Sequence, residues 1–236
     1  MPIFRLLITC ILILGLAPVP AFAERFQTIS TEAILALQQS GKPFLLIDAL
    51  SGIEFEELHI KDSINIPASH VTAERLPKDK DTTLVFYCKG LRCTKRRLAA
   101  KRAMELGYTT VLIYSGGLPA WQKAGLPTNS SVIYPDISLN QLNPLQIYQQ
   151  ESPFILDIRG KEVSRMGHIP GALRIPLDDL ATRVAELPCD TPIIIIDHAG
   201  QQAPICARFL HSLGYTTLFI LEGGMINWIR QGFPTK

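Results

Sequence analysis

The chain repeats itself. Residues 107–128 (GYTTVLIYSGGLPAWQKAGLPT) return as residues 214–235 (GYTTLFILEGGMINWIRQGFPT). Upstream, FLLIDAL matches FILDIRG and SINIP matches ALRIP. The offset is 109 for Asp48 to Asp157 and for Pro67 to Pro176, but 107 for Gly107 to Gly214. The first copy has therefore gained two residues between those points, or the second has lost them. A repeat of this period constrains the fold before any single element is read: it calls for two units of about a hundred residues, each with its own core.

Both copies carry the same order of signals. A polar helix (TEAILALQQSG; SLNQLNPLQIYQQ) precedes an apolar strand ending in Asp48 or Asp157. A charged, helix-forming stretch and a turn lead to INIP or LRIP. A short helix, a strongly apolar strand (TTLVFYC; PIIIID), a longer helix and another strand follow, and a Gly-Gly turn opens a Trp-bearing helix. Apolar strands alternating with helical patterns predict an α/β fold, each unit a mostly parallel sheet flanked by helices. The Pro-, Asn- and Ser-containing stretch 126–136 reads as the linker, dividing the chain into units 24–129 and 130–236.

Residues 1–23 read as an export signal: a basic start (MPIFR), a short apolar core (LLITCILILGLA) and the small-residue cleavage site AFA. The expected mature chain begins at Glu24 in a bacterial periplasm, loses Cys10 with the signal and keeps no membrane segment; an uncleaved anchor is the competing reading. Four cysteines then remain, Cys88, Cys93, Cys189 and Cys206. In an exported chain an even number invites disulfides, but so few in a chain with an ample core leave room for a reactive one.

Cys88 closes an apolar strand and should project beyond the carboxyl end of the sheet, where ligands of open α/β sheets collect. The loop after it runs into a helix, whose N-terminal N–H groups favour an anion and hence a thiolate. The charge agrees. Seven basic residues (Lys89, Arg92, Lys95, Arg96, Arg97, Lys101 and Arg102) and no acid lie between Cys88 and Arg102. Cations in a helix's first turn oppose its dipole, so an anionic ligand would give Lys95, Arg96 and Arg97 a reason. A solvated basic face is the alternative for Arg97, Lys101 and Arg102. A net charge of only +2, an exported chain and a run without aromatics argue against a nucleic-acid surface. No His, Cys and acid cluster has metal-site spacing, and no cofactor is implied.

The pattern resembles the rhodanese family in its tandem form. The resemblance rests on DIRGKEVSRMGHIPGALRIP in the second copy and the closing GY…GG…W…G-P in both. It implies a sulfurtransferase in which Cys88 takes a sulfane sulfur from thiosulfate or a similar small anionic donor. The cysteine holds it as a persulfide and passes it to a thiol or protein acceptor. Lys89, Gly90, Arg92, Thr94, Lys95 and Arg96 would bind the donor. Cys93, in the pattern C-x-G-x-x-C, would resolve the persulfide, form a reversible disulfide or supply bulk. In the second copy the register puts Asp197 where Cys88 stands, so that half is expected to be catalytically silent, and Cys189 and Cys206 structural. Asp48, Asp157, Arg159, His59 and His168 read as structural. A phosphatase would need arginine where Thr94 stands. A binding or redox-sensing module built on Cys88 and Cys93 is the non-enzymatic alternative.

Overall fold

The computed structural model describes residues 26–91 and 93–236; the expected export signal, Cys10 and Arg92 lie outside the described residues. The first unit runs β1 (Gln27–Ile29), α1 (Thr31–Gln39), β2 (Phe44–Asp48), α2 (Gly52–Glu57), β3 (His59–Ile60), β4 (Ile64–Asn65), β5 (Thr83–Tyr87), α3 (Lys95–Glu105), β6 (Val111–Tyr114), α4 (Gly117–Lys123) and β7 (Thr128–Asn129). The second runs β8 (Asn140–Leu142), α5 (Pro144–Tyr148), β9 (Phe154–Asp157), α6 (Lys161–Ser164), β10 (Leu173–Arg174), α7 (Leu180–Arg183), β11 (Ile193–Ile196), α8 (Ala203–Ser212), β12 (Leu218–Leu221) and α9 (Gly224–Arg230). Each unit has a five-stranded sheet, ordered β1-β6-β5-β2-β4 in the first and β8-β12-β11-β9-β10 in the second. Every pairing in both sheets is parallel.

Parallel sheets bury both faces, and the strands show it. Along β5, Leu84 and Phe86 pack with Ala99, Ala100 and Ala103 of α3, while Val85 and Tyr87 pack with Ile34 of α1 and Trp121 of α4. The alanine stripe lets α3 lie close to the sheet, and its basic residues Arg97 and Lys101 face outward. Burying each large apolar side chain contributes roughly 1.5–3 kcal/mol, which holds the three helices against the sheet.

One expected element differs. Residues 140–142 form the edge strand β8, paired with β12, rather than the start of a helix. Asn143 accepts from the Gln146 N–H at 3.0 Å and Gln146 returns the bond at 2.9 Å, so this capping box starts α5 at Pro144. A polar edge strand has no local signature; its pairing decides it.

The two units are joined by side-chain pairs from both repeats. Ser69 Oγ donates to Asp178 at 2.6 Å and His70 Nε2 meets Asp179 at 2.8 Å, and both pairs join equivalent positions 109 residues apart. Arg208 pairs with Glu57, and Ile53 of α2 enters the core of the second unit. Within the linker, the Ser131 and Val132 N–H groups donate to the Glu56 carbonyl, and Tyr134 is buried. No helix among the described residues is long and apolar enough to cross a membrane.

Candidate functional site

The site forms where β5 ends. Cys88, fully buried, follows Tyr87, and its carbonyl accepts the Leu118 N–H of α4 at 3.1 Å. Gly117 makes that approach possible: it has φ +56°, and a Cβ there would overlap the Cys88 carbonyl oxygen. This is why the Gly-Gly turn recurs in both copies. Gly90, at φ +113°, reverses the loop, and the Cys93 N–H bonds its carbonyl at 3.1 Å. That turn brings Cys93 back over Cys88. The two are joined as a disulfide, Cα–Cα 6.4 Å.

Arg96, in the first turn of α3, organises the loop from inside. Its Nη1 donates to the carbonyls of Gly90 and Cys93, the latter at 2.9 Å, and Nη2 donates to Leu91 at 3.2 Å. The same Nη1 lies 3.3 Å from the Cys88 sulfur. Arg96 is 3% exposed, and burial, then the neighbouring Arg97 charge, lowers its pKa from the usual guanidinium value. It is a fixed cation beside the sulfur and a brace for the turn.

Acids pair with Lys89 and Lys95. Glu54 of α2, its side chain 1% exposed, meets Lys89 at 3.3 Å and Lys95 at 3.5 Å, and Lys95 reaches Asp178 of the second unit at 2.9 Å. Gln202 of the second unit also donates to Glu54, at 3.1 Å. Burial pushes the Glu54 carboxyl up, but Lys95, Lys89 and the bonds from Ser51 outweigh it and hold the pKa at about 2. Burial likewise opposes charge on Lys95, and Glu54 and Asp178 override it, raising its pKa. Held at about 2, Glu54 is not a proton donor at neutral pH. Thr94 is exposed at the N-cap of α3 without a side-chain cap bond. The structure thus brings Cys88, Gly90, Cys93, Lys89, Lys95 and Arg96 together.

The sequence reading missed the acids. Ser51–Glu54 is a capping box, with Ser51 Oγ bonding Glu54 Oε2 at 2.9 Å, and its S-x-x-E pattern marks a glutamate folded back onto a helix start. Asp178 and Gln202 carry no such signal because they arrive from the other repeat.

The second copy reveals what its loop is shaped to hold. Asp197 follows β11, and the Met225 N–H bonds its carbonyl at 2.9 Å, as Leu118 does for Cys88. The Asp197 carboxylate turns inward and accepts the N–H groups of Gly200 at 2.5 Å, Gln202 at 2.5 Å and Ala203 at 3.0 Å. The N–H cradle at the start of α8 is filled by the chain's own anion. The 109 offset persists to Cys88 and Asp197. It becomes 107 by Ala103 and Leu210, whose carbonyls accept from Tyr108 and Tyr215. The two extra residues lie in the cysteine loop or the start of its helix.

The other polar residues pack structurally. Asp157 forms a buried two-point pair with Arg159, at 2.9 and 2.6 Å. In the first copy leucine takes the arginine's place. Asp48 accepts the Leu50 N–H at 2.9 Å, its other oxygen has no hydrogen-bond partner, and burial above all raises its pKa to about 7. His59 Nδ1 bonds the Phe55 carbonyl at 2.7 Å, and His168 bonds Lys236 through its backbone. Cys206 is buried, which pushes its thiol pKa up, and Cys189 is exposed. Among the described residues no group of three or more His, Cys, Asp and Glu could hold a metal ion.

A family model described as a rhodanese-like domain matches residues 30–124 and again 143–231. A sulfurtransferase of Allochromatium vinosum is 32% identical over 84 residues, covering 36% of this chain and 78% of that protein. An adenylyltransferase and sulfurtransferase of Ogataea parapolymorpha is 31% identical over 90 residues, 38% of this chain. The chain spans 23% of the Ogataea protein's length. The crystal structure of a thiosulfate sulfurtransferase from Pseudomonas aeruginosa overlaps 89% of this chain and 43% of its own, at 23% identity and a TM-score of 0.42.

Proposed function

The chain belongs to the rhodanese family, with the domain present twice, and on that premise we propose that it is a periplasmic sulfurtransferase acting through Cys88. Family membership supports sulfur transfer in general. Thiosulfate as donor, a thiol or protein thiophile as acceptor, and export directed by residues 1–23 are finer readings proposed from the residues. In the reduced enzyme, the Cys88 thiolate attacks the outer sulfur of thiosulfate. The S–S bond of the donor breaks and sulfite leaves, with Cys88 holding the sulfane sulfur as a persulfide. The acceptor then takes that sulfur and returns the thiolate.

The observation that carries this reading is the Arg96 guanidinium, its Nη1 3.3 Å from the Cys88 sulfur. A fixed cation there stabilises a thiolate and a persulfide anion, and the loop's counterpart in the second repeat closes around a carboxylate. With the second copy carrying Asp197 in place of a cysteine, the first unit alone supplies the nucleophile. The disulfide means that the enzyme must be reduced before it can react.

The test is sulfite release from thiosulfate by the reduced protein, with the sulfane sulfur recovered as thiocyanate on added cyanide or as sulfide. Cys88→Ser should lower the rate by at least about 100-fold, since it removes the proposed nucleophile. Full activity in Cys88→Ser ends the reading. The disulfide favours one second reading, a redox module. A pair that stays oxidised in protein taken from the periplasm, and a reduced form that ignores sulfane donors, would establish that instead.

A further inference from the structure

We propose that Cys93 discharges the Cys88 persulfide internally, so that the protein releases hydrosulfide and stops as the Cys88–Cys93 disulfide until an external dithiol reduces it. The proposal rests on the sulfurtransferase reading above and names what becomes of the sulfur.

The geometry behind it is the reach of one sulfur to the other. Cys93 is bonded to the sulfur of Cys88 itself, so its attack trajectory leads to the inner sulfur of a persulfide built on that atom. The turn that places it does not depend on the bond. The Gly90 carbonyl accepts the Cys93 N–H, and Arg96 braces the carbonyls of Gly90, Leu91 and Cys93 from beneath. Those contacts are available to the reduced loop, which keeps Cys93 above Cys88 as an intramolecular thiol of high effective concentration. Cys88 is fully buried, whereas Cys93 is only half-buried and the neighbouring Leu91 is 80% exposed. An outside acceptor meets Cys93 before it meets Cys88.

The step balances. Cys93 loses its proton and its thiolate attacks the Cys88 sulfur. The bond from Cys88 to the sulfane sulfur breaks as the Cys88–Cys93 bond forms. The sulfane sulfur is reduced and leaves as hydrosulfide, taking up the proton, while the two cysteine sulfurs are oxidised together to the disulfide. Arg96, against the Cys88 sulfur, neutralises the charge on the persulfide as it is held. Return to the dithiol needs a two-electron thiol donor from outside, a dithiol small enough or exposed enough to attack Cys93.

A single turnover separates this proposal from the reading beneath it. The reduced mature protein, freed of reductant, is mixed with thiosulfate, and sulfite, sulfide and intact mass are measured beside Cys93→Ser. The expected result for the wild type is about one sulfite and one sulfide per chain, with a mass two hydrogens below the reduced protein. Cys93→Ser should give the sulfite, release no sulfide, gain one sulfur atom in mass, and pass that sulfur to added cyanide. Sulfite with a retained extra sulfur and no sulfide in the wild type overturns the internal discharge while leaving sulfur loading intact. Equal sulfide from Cys93→Ser overturns it as well. No sulfite at all overturns the loading itself, and the discharge with it.

Discussion

Lys95, the first residue of the helix behind the cysteine loop, is ion-paired at 2.9 Å with Asp178 of the other repeat. Through Lys95, and through Gln202 on Glu54, the unit with Asp197 in its loop holds the charges that flank Cys88. Cations at a helix N-terminus, unfavourable by themselves, are thereby offset by acids in the same partly buried space.

Asp178→Asn should loosen the junction between the units. Lys95 would keep only Glu54, and Ser69 would lose a charged acceptor. The expected loss is about 1–3 kcal/mol in a urea melt, less than for a fully dry pair because Lys95 is partly exposed. Lys95→Gln combined with Asp178→Asn should cost less than the sum of the two changes, and strict additivity would show the pair to be uncoupled.

Arg96→Lys should preserve a positive charge near Cys88 but lose the fork that holds three carbonyls. We expect at least a tenfold fall in the rate of sulfite release from thiosulfate. We also expect about 1–3 kcal/mol of lost stability as the Leu91 and Cys93 carbonyls lose their guanidinium donor. Turnover equal to wild type would mean that the loop does not need its brace.

Gly117→Ala should be far more damaging than Gly107→Ala. Both glycines have positive φ, but a Cβ at 107 meets nothing within 4 Å, whereas one at 117 runs into the Cys88 carbonyl. The expected costs are roughly 1 kcal/mol at 107 and more than about 2 kcal/mol at 117, with sulfur transfer lost only in the second. Thermal melts of the two variants decide it.

Two buried carboxyls give opposite pH signatures. Glu54, depressed to about 2, contributes stability that is present above the unfolded carboxyl's pKa and is lost as pH falls from about 4.3 to 2. Asp48, raised to about 7, keeps its proton in the folded chain while the unfolded chain has released it. Stability therefore declines as pH rises from about 4 to 7. Asp48→Asn should remove that decline and be the more stable protein at pH 7, by more than about 1 kcal/mol, the worth of one pKa unit. Parallel denaturation curves at pH 4 and 7 check the sign.

Asp197→Ala should empty the cradle of the second repeat. Three N–H groups at the start of α8 would lose their acceptor, at a cost of about 2 kcal/mol, the upper end for a lost helix cap. Sulfate should restore part of that stability beyond what it gives the wild type. No sulfate-specific recovery would show that the cradle needs a tethered carboxylate.

By itself the sequence determined the repeat, the two parallel α/β units, the place of Cys88 at a strand end and the absence of a matching cysteine in the second copy. These are local matters. Strand and helix periods, a glycine pair and the identity of one residue can be read along the chain. Gly117 and Gly224 were legible as a motif, although only the structure shows the carbonyl and carboxylate they pack against. Tertiary structure gave the basic run partners that the sequence does not name. Lys89, Lys95 and Arg96 read as ligands for an anionic donor. Folded, two of them meet Glu54, one also meets Asp178, and the third is spent on backbone carbonyls beside the sulfur. The polar residues 140–142 became an edge strand for the same reason. Charge pairing and strand pairing join residues far apart in sequence, across the fold or from one repeat to the other, and no local pattern records the partner.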